Sequence, residues 1–373
     1  MSTRTLVVDD SASYGSVIRR ALEGIAGVEV IGRCANGQEA LQKIQAEAPD
    51  LVTLDIEMPG MNGLDVLRAI RRHSLKTTVI VLSAVGARAR ELTIQALELG
   101  ALNFVAKPDG GGAAENLAAL RTRLAPLVAA AGYRKEVQIL LRGETSIHRT
   151  PATDKATPAP IPTPAPDAAG DVAQRLHRLA GRSRPAMVLI GASTGGTEAL
   201  ARVIPRLPAE LCLPVLVVQH MPPLFTQNLA NSLNARSALE VREAQDGETA
   251  AAGRVYIAPG GSHLKVAAGP GKEIRMRITT DPPENNCRPA VDYLFRSAAV
   301  AFPGRAVAVV LTGMGRDGTL GLRLLKAGGC LSIAQNEATC AVFGMPKEAI
   351  EAGVVDVVTP LDSIAAEIVK AVR

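Results

Sequence analysis

A run of prolines divides this chain and limits what it can fold into. Residues 150–170 contain six prolines, which alternate mainly with alanine and threonine. Proline fixes the φ angle and cannot donate a backbone hydrogen bond, so such a run forms an extended spacer. The 373 residues also exceed what one hydrophobic core usually organises. We therefore expect a first domain at residues 1–125, a helical and proline-rich linker at 126–184, and a second domain at 185–373.

Apolar strands alternate with amphipathic helices in the part before the linker. The predicted strands are Leu6–Asp9, Val28–Gly32, Leu51–Asp55, Val79–Ser83 and Asn103–Ala106. The predicted helices between them are Val17–Leu22, Ala40–Gln45, Leu64–Arg71 and Leu92–Leu99. This alternation predicts an α/β domain with a doubly wound parallel sheet and an active site at the carboxyl ends of its strands.

The part after the linker is also predicted to be α/β. A strand at Met187–Ala192 precedes a helix at Glu198–Ile204, and a short helix is expected before them at Val172–Leu179. Further strands are predicted at Val215–Gln219, Val255–Ala258, Ile274–Ile278, Val307–Thr312 and Leu331–Gln335. Aromatic residues make up only 2% of the chain, so aliphatic side chains must fill the core, as they do in buried parallel sheets. We expect a three-layer domain with a parallel sheet and a β-rich insertion between residues 254 and 278.

Acidic side chains lie at the ends of two strands of the first domain. Asp9 and Asp10 follow the first strand, and Asp55 ends the third. Neighbouring strand ends bring these carboxylates together, and a hard cation such as Mg²⁺ relieves their repulsion. Ser83 and Lys107 follow the fourth and fifth strands, where a hydroxyl and an ammonium group can hold a phosphoryl group on Asp55. The alternative is that these acids only cap the following helices.

Residues 1 to about 125 resemble a response-regulator receiver domain, whose fold is flavodoxin-like. The matching features are the acidic pair at 9–10, the motif D-I-E-M-P-G-M-N-G at 55–63, Ser83, and the K-P pair at 107–108. The resemblance implies that Asp55 accepts a phosphoryl group from a histidine kinase and shares Mg²⁺ with the acidic pair. It also implies that Ser83 and Lys107 sense the phosphate and that Phe104 is the switch aromatic.

A serine occupies the turn between the first strand and the first helix of the second domain. Residues 191–196 read G-A-S-T-G-G, which places Ser193 at the centre of a G-x-S-x-G motif. Such a turn lifts the serine above the sheet, and the unpaired N–H groups of the helix start can stabilise an oxyanion. Turns of small residues after strands also bind phosphate, which is the alternative interpretation.

A serine nucleophile needs a base and an acid that orients the base. His220 follows the next strand and can reach the same edge of the sheet. His263 is a second candidate, although a hydrogen-bonded turn histidine is the simpler interpretation. Asp317 follows another strand in a glycine-rich loop, with helix capping as its alternative role. This order of serine, histidine and acid differs from that of α/β-hydrolases, so the motif does not indicate that superfamily.

Residues 185 to 373 resemble the catalytic domain of the chemotaxis protein-glutamate methylesterase (CheB) family. The matching stretches are I-G-A-S-T-G-G-T-E-A-L, V-V-Q-H-M-P, I-A-P-G-G-S-H-L, R-P-A-V-D-Y-L-F, L-T-G-M-G-R-D-G and V-F-G-M-P. The resemblance implies that Ser193, His220 and Asp317 are nucleophile, base and acid, and we place Thr194 and Met314 beside the oxyanion. It implies a phosphorylation-activated carboxylic ester hydrolase that demethylates glutamate methyl esters, and deamidates glutamines, on methyl-accepting chemotaxis receptors. The ester chemistry needs no cofactor.

Composition bears on partners and compartment. The net charge of +5 is spread along the chain, which argues against nucleic-acid binding. The N-terminus lacks the apolar core of a signal peptide, and no apolar run reaches the roughly 20 residues that span a bilayer. The five cysteines show no metal-binding or disulfide pattern. We expect a cytoplasmic monomer without membrane insertion.

Two other functions fit parts of the sequence. A DNA-binding response regulator is the commonest use of a receiver, but it needs a basic recognition helix where this chain has a second α/β pattern. A receiver-controlled serine esterase or amidase for another substrate has the same motifs. Only a substrate assay separates the latter from a receptor methylesterase.

Overall fold

Two parallel sheets, each with helices on both faces, form most of the protein. The computed structural model describes residues 2–84, 86–108, 110, 112–141 and 184–373. The short helix predicted at Val172–Leu179 lies outside these residues. None of the helices in these ranges has both the length and the apolar character needed to cross a membrane.

The first domain has five strands in the order β2-β1-β3-β4-β5, all parallel. The strands are β1 (Thr3–Val8), β2 (Val28–Cys34), β3 (Leu51–Asp55), β4 (Thr78–Ser83) and β5 (Asn103–Ala106). The helices are α1 (Ala12–Glu23), α2 (Gly37–Glu47), α3 (Gly63–Arg72), α4 (Ala87–Glu98) and α5 (Ala113–Leu141). The doubly wound, flavodoxin-like arrangement predicted for this half is confirmed.

Local side chains determine where three of these helices begin. Ser11, Asn36 and Asn62 each accept a hydrogen bond from the backbone N–H three residues further on. Such caps satisfy donors that a helix leaves unpaired in its first turn, and each contributes roughly 1 kcal/mol. The first turn of each helix is therefore encoded beside the strand end that precedes it.

Helix α5 has the span Ala113–Leu141 that helical periodicity predicts, and it continues past residue 125, where the first domain is predicted to end. It contains Pro126 and continues to Leu141. Leu124, Leu127 and Val128 are buried in the same apolar cluster as Val7 and Leu82 of the sheet. The first part of the predicted linker therefore packs on the receiver core, and the division at residue 125 stays a prediction.

The second domain has a seven-stranded parallel sheet in the order β14-β13-β12-β6-β7-β9-β8. Its strands are β6 (Met187–Ala192), β7 (Val215–Gln219), β8 (Glu240–Glu243), β9 (Arg254–Ile257), β12 (Ala306–Val310), β13 (Leu331–Gln335) and β14 (Val357–Thr359). The α-helices are Gly196–Val203, Phe225–Asn234, Val291–Ala301, Thr319–Ala327, Met345–Glu351 and Ile364–Val372. The three-layer α/β prediction is confirmed, although β8 and β14 were not predicted.

The β-rich insertion is smaller than expected. Arg254–Ile257 pairs with β7 and β8 and so belongs to the main sheet. The insertion is the antiparallel hairpin of β10 (His263–Ala268) and β11 (Ile274–Thr279). Buried residues of this hairpin, including Leu264 and Met276, pack in the apolar cluster that contains Phe295. The hairpin thus packs against the helix Val291–Ala301, which contains Phe295.

Candidate active sites

The acidic residues of the first domain meet at the carboxyl edge of its sheet. Carboxylate oxygens of Asp9, Asp10 and Asp55 all lie within 4.8 Å of one another. Lys107 Nζ donates to Asp9 Oδ2 at 3.0 Å and to Asp55 Oδ2 at 2.7 Å. Asp9 and Asp55 are buried, whereas Asp10 is exposed. This is a set of oxygen donors that suits a hard divalent cation, with an ammonium group beside it.

Burial and pairing set the charges in this pocket. Burial raises the pKa of Asp55, although the hydrogen bond from Lys107 acts in the opposite direction. Burial alone would lower the pKa of Lys107, but its hydrogen bond to Asp55 and the neighbouring acidic charges outweigh burial and raise that pKa. The lysine therefore stays charged next to Asp55.

Lys107 bonds to the acidic residues, whereas the contacts described for Ser83 and Phe104 are with other residues. The Ser83 hydroxyl accepts a hydrogen bond from the Thr93 hydroxyl at 2.6 Å and donates to the Ala84 carbonyl at 3.0 Å. The ring of Phe104 packs against Phe225 of the second domain, with 4.5 Å between the ring centroids. The aromatic residue of the receiver thus contacts the other domain.

Ser193 and His220 follow residues that are paired in the central sheet. Ala192 of β6 is the partner of Gln219 of β7. Neighbouring parallel strands lie about 4.8 Å apart. The residues that follow this pair, Ser193 and His220, therefore begin close to each other. The Gln219 amide also donates to the carbonyls of Ser193 (2.9 Å) and His220 (3.2 Å), which ties the two strand ends together.

Asp317 reaches the same place from the strand on the other side of β6. Its Oδ2 lies 2.7 Å from His220 Nε2. The carboxylate also accepts from the backbone N–H groups of Val291 (2.6 Å) and Asp292 (2.9 Å), at the start of the helix Val291–Ala301, and from the Asn285 amide (2.9 Å). Asp317 therefore lies at a helix N-terminus, but at this helix rather than the one starting at Thr319.

These contacts give His220 and Asp317 opposite pKa shifts. Burial alone would lower the pKa of His220, but its hydrogen bonds to Asp317 and Cys287 outweigh burial and raise the pKa to about 9. Burial alone would raise the pKa of Asp317, but the hydrogen bond and charge of His220 lower it. Burial raises the pKa of Asp292 to about 6, with the charge of Asp317 adding to the effect. The carboxylate of Asp317 thus favours the charged form of the imidazole.

Within the described residues, no hydrogen bond joins the Ser193 hydroxyl to His220. The second ring nitrogen, Nδ1, faces Cys287 Sγ at 3.4 Å instead. Catalytic hydrogen bonds are often long or absent before substrate binds, so the separation does not exclude a role for either residue. Cys287, Asn285 and Gln219 were not predicted as site residues, because no sequence pattern distinguishes them from their neighbours.

His263 is fully buried and both of its ring nitrogens are engaged. Nδ1 accepts from the Ala290 N–H at 3.2 Å, and Nε2 lies 3.1 Å from the Pro282 carbonyl. The ring also stacks on Tyr293 with 4.3 Å between centroids. These contacts fit the turn-histidine interpretation and leave no ring nitrogen free for Ser193.

Glycines permit the close packing around Ser193. Gly313 needs to lack a side chain because an added Cβ would lie 2.7 Å from Ser193 Cβ. Gly195 has φ of 77°, in the left-handed region that favours glycine. Among the described residues, the backbone N–H groups of Thr194 and Met314 have no acceptor. Thr194 follows the serine in the chain, and Met314 follows Gly313, which packs against the serine.

The receiver lies directly against this turn. The Gly195 N–H donates to the carbonyl of Leu102 at 3.1 Å, and the Asn103 amide lies 3.4 Å from the Thr194 hydroxyl. Further along the interface, Glu98 at the end of α4 accepts from the Ser232 hydroxyl at 2.7 Å and pairs with Arg236. The α4–β5 side of the receiver thus covers one edge of the serine turn.

Comparison with known proteins matches each half of the chain to a family. Residues 188–368 match the family model "CheB methylesterase", and residues 5–117 match "Response regulator receiver domain". A protein-glutamate methylesterase/protein-glutamine glutaminase of Desulfotalea psychrophila is 45% identical over 99% of this chain and 98% of its own length. The protein of the same name from Bacillus subtilis is 40% identical over 99% of this chain and 98% of its own length.

Solved structures include the Thermotoga maritima CheB methylesterase catalytic domain. It is 44% identical and covers 50% of this chain and 99% of its own, with a TM-score of 0.49. The full-length identities with the Desulfotalea and Bacillus proteins decide the family. This chain belongs to the receiver-linked CheB methylesterases, the family of protein-glutamate methylesterase/protein-glutamine glutaminase.

Proposed function

We propose that this protein is a phosphorylation-activated hydrolase that removes methyl groups from glutamate methyl esters of chemotaxis receptors and deamidates specific glutamines. The observation that carries the proposal is the placement of Ser193, His220 and Asp317 at the carboxyl ends of three adjacent strands. Ser193 is the nucleophile, His220 the base, and Asp317 the group that orients and charges the imidazole. The glutamate specificity is taken from the full-length relatives of that name.

The geometry assigns each ring nitrogen of His220 a task. Since Nε2 is bound to Asp317, Nδ1 is the nitrogen that takes the Ser193 proton as the serine oxygen attacks the ester carbonyl. The same nitrogen then gives the proton to the departing methanol. Water, activated in the same way, cleaves the acyl-enzyme to the glutamate carboxylate. With a glutamine substrate the leaving group is ammonia.

Backbone donors stabilise the charge on the carbonyl oxygen during these steps. The unpaired N–H groups of Thr194 and Met314 are the proposed oxyanion donors. Such donors act most strongly where water is excluded and where they are already held in position. Hydrogen bonds from Gly344 and Met345 to the carbonyl of Gly313 hold the loop that contains Met314.

The receiver is proposed to be phosphorylated on Asp55 by a histidine kinase. Asp9, Asp10 and Asp55 fit Mg²⁺, since three carboxylates converge and one is open to solvent. When bound, the ion neutralises charge between Asp55 and the incoming phosphoryl group. Lys107 and Ser83 are the proposed phosphate sensors, because one already contacts Asp55 and the other ends the adjacent strand.

Control is proposed to act through the domain contact. The receiver carbonyl of Leu102 holds the Gly195 N–H next to Ser193. Phosphorylation would shift the receiver off the turn, which requires only that the phosphorylated form bind this face less well. Phe104, which packs on Phe225, is the residue that couples the two.

All three groups of the proposed triad come from one chain. This supports action as a monomer. A histidine kinase as phosphodonor and the receptor glutamates as substrate place the reaction in the cytoplasm.

The activity and its control are tested by one assay with one substitution. Methanol release from methylated receptor membranes should rise when a small phosphodonor such as acetyl phosphate is added. With Asp55→Asn we expect this stimulation to vanish while the basal rate stays within about twofold, because an amide of the same shape cannot form an acyl phosphate. Phosphate incorporation into Asp55→Asn at one equivalent would show that another residue is the acceptor.

The domain contact predicts a charge-reversal effect. Arg236→Glu places a carboxylate against Glu98, and such repulsion across an interface changes affinity by about tenfold or more. We expect the basal methanol release of the unphosphorylated enzyme to rise by about that factor. Adding Glu98→Arg should restore the ion pair and the low basal rate. If the double variant is as active as Arg236→Glu alone, this contact does not hold the resting state.

A further inference from the structure

Cys287 lies against the imidazole of the proposed triad. Its Sγ is 3.4 Å from His220 Nδ1, and His220 Nε2 is 2.7 Å from Asp317 Oδ2. Thiol, imidazole and carboxylate thus follow one another in the order found in cysteine-dependent hydrolases, where the histidine takes the proton of a reacting thiol. Cys287 is partly exposed, so small solutes can reach its sulfur.

The position of this sulfur is built into the fold. The loop that carries Cys287 is tied at both ends to His263, through the Pro282 carbonyl and the Ala290 N–H. Within the loop, the backbones of Glu284 and Cys287 form two hydrogen bonds, at 3.1 and 2.9 Å. These contacts hold the thiol beside His220 without help from the receiver.

Cys287 and Ser193 need the same nitrogen of His220. Asp317 occupies Nε2, so the serine proton can pass only to Nδ1, which faces the sulfur here. Any group added to this sulfur lies next to Nδ1. A change at Cys287 therefore acts on the base of the esterase.

We propose that Cys287 is a modification site for peroxides and that its oxidation switches the esterase off. This proposal rests on the proposed function of Ser193 and His220. Cys287 Sγ attacks one oxygen of a hydroperoxide, an S–O bond forms and the O–O bond breaks. His220 takes the thiol proton and passes it to the departing oxygen, so thiol and hydroperoxide become sulfenic acid and alcohol or water. Sulfur loses two electrons and the peroxide gains them.

Oxidation of this kind is reversible. A sulfenic acid is reduced by small thiols, whereas a methionine sulfoxide at the exposed Met314 is not. Recovery of activity with dithiothreitol therefore separates the proposed site from oxidation of the neighbouring methionine. The enzyme would stop removing methyl groups while the cell is exposed to peroxide.

The test uses the full-length protein and hydrogen peroxide. Methanol release is measured before treatment, after peroxide is removed, and after dithiothreitol, and dimedone traps sulfenic acid for mass spectrometry of each cysteine peptide. We expect a loss of about a hundredfold, the usual contribution of a general base, with recovery on reduction. Cys287→Ala and Cys287→Ser should keep their own starting rates through the treatment. Cys212→Ala, which removes an exposed cysteine, should respond like the unsubstituted protein.

The outcomes separate this proposal from the proposed function. The Cys287 proposal would be overturned if dimedone trapped Cys212 and Cys287 equally. It would also be overturned if peroxide inactivated both Cys287 variants as strongly as the unsubstituted protein. If untreated protein releases no methanol, the esterase proposal fails, and trapping then decides the reactivity of Cys287 alone. Preferential trapping at Cys287 with reversible loss of methanol release supports both.

Discussion

Ser193→Ala is expected to lower the rate of methanol release by about a thousandfold or more, because loss of the nucleophile of a triad removes most of its rate enhancement. The fold should be unaffected. The Ser193 hydroxyl makes no hydrogen bond among the described residues, so alanine leaves no buried partner unsatisfied. The measurement is single-turnover methanol release with phosphodonor present, beside a thermal unfolding curve for each protein.

A matched control is Ser363→Ala, at the start of the C-terminal helix, where the serine side chain makes no capping hydrogen bond. It should retain the unsubstituted rate and melting temperature. A Ser193→Ala protein with near-native turnover would show that another residue attacks the ester, and Cys287 would then be the next candidate.

His220→Gln is expected to be about as damaging as Ser193→Ala, since residues that act as one catalytic unit are not additive. Of these two histidines, His220 is the one that contacts Asp317, and its other ring nitrogen faces Cys287 Sγ. His263→Gln should instead lower stability, by roughly 1–3 kcal/mol, because the buried Ala290 N–H and the Pro282 carbonyl lose their imidazole partner. Below its melting temperature, its methanol release should exceed that of His220→Gln by at least about tenfold.

Rates of both variants are compared with phosphodonor present and at a temperature where both are folded by circular dichroism. A ranking in the opposite direction would assign the base to His263. Loss of activity in both without loss of stability would indicate that the loop tied to His263 is itself needed to present Asn285 to Asp317.

Much of the fold follows from local patterns that a sequence displays directly. Strands that are buried along their whole length, such as Leu51–Asp55 and Met187–Ala192, were predicted at these bounds. The strands that were not predicted lie at sheet edges. Glu240–Glu243 has one buried side chain, and Val357–Thr359 has only three residues. Without a buried face, a short edge strand leaves no hydrophobic period to detect.

For the candidate sites, too, one part was predictable from the sequence and another part was not. Sequence alone determined which chemistry stands at each strand end, because a parallel sheet brings carboxyl ends to one edge whatever its strand order. Ser193, His220, Asp317 and Asp55 were predicted in that way. Their residue types and places in the chain were enough.

Tertiary structure decided which groups those residues touch. Asn285 donates to Asp317 from 32 positions away, Cys287 faces His220 from 67, and Leu102 of the receiver binds the turn after Ser193. These contacts depend on how loops pack once the two domains are in place, and no periodicity along the chain encodes them. Non-local contacts of single side chains leave no repeating pattern, which is why the resting partner of His220 could be read only from the folded protein.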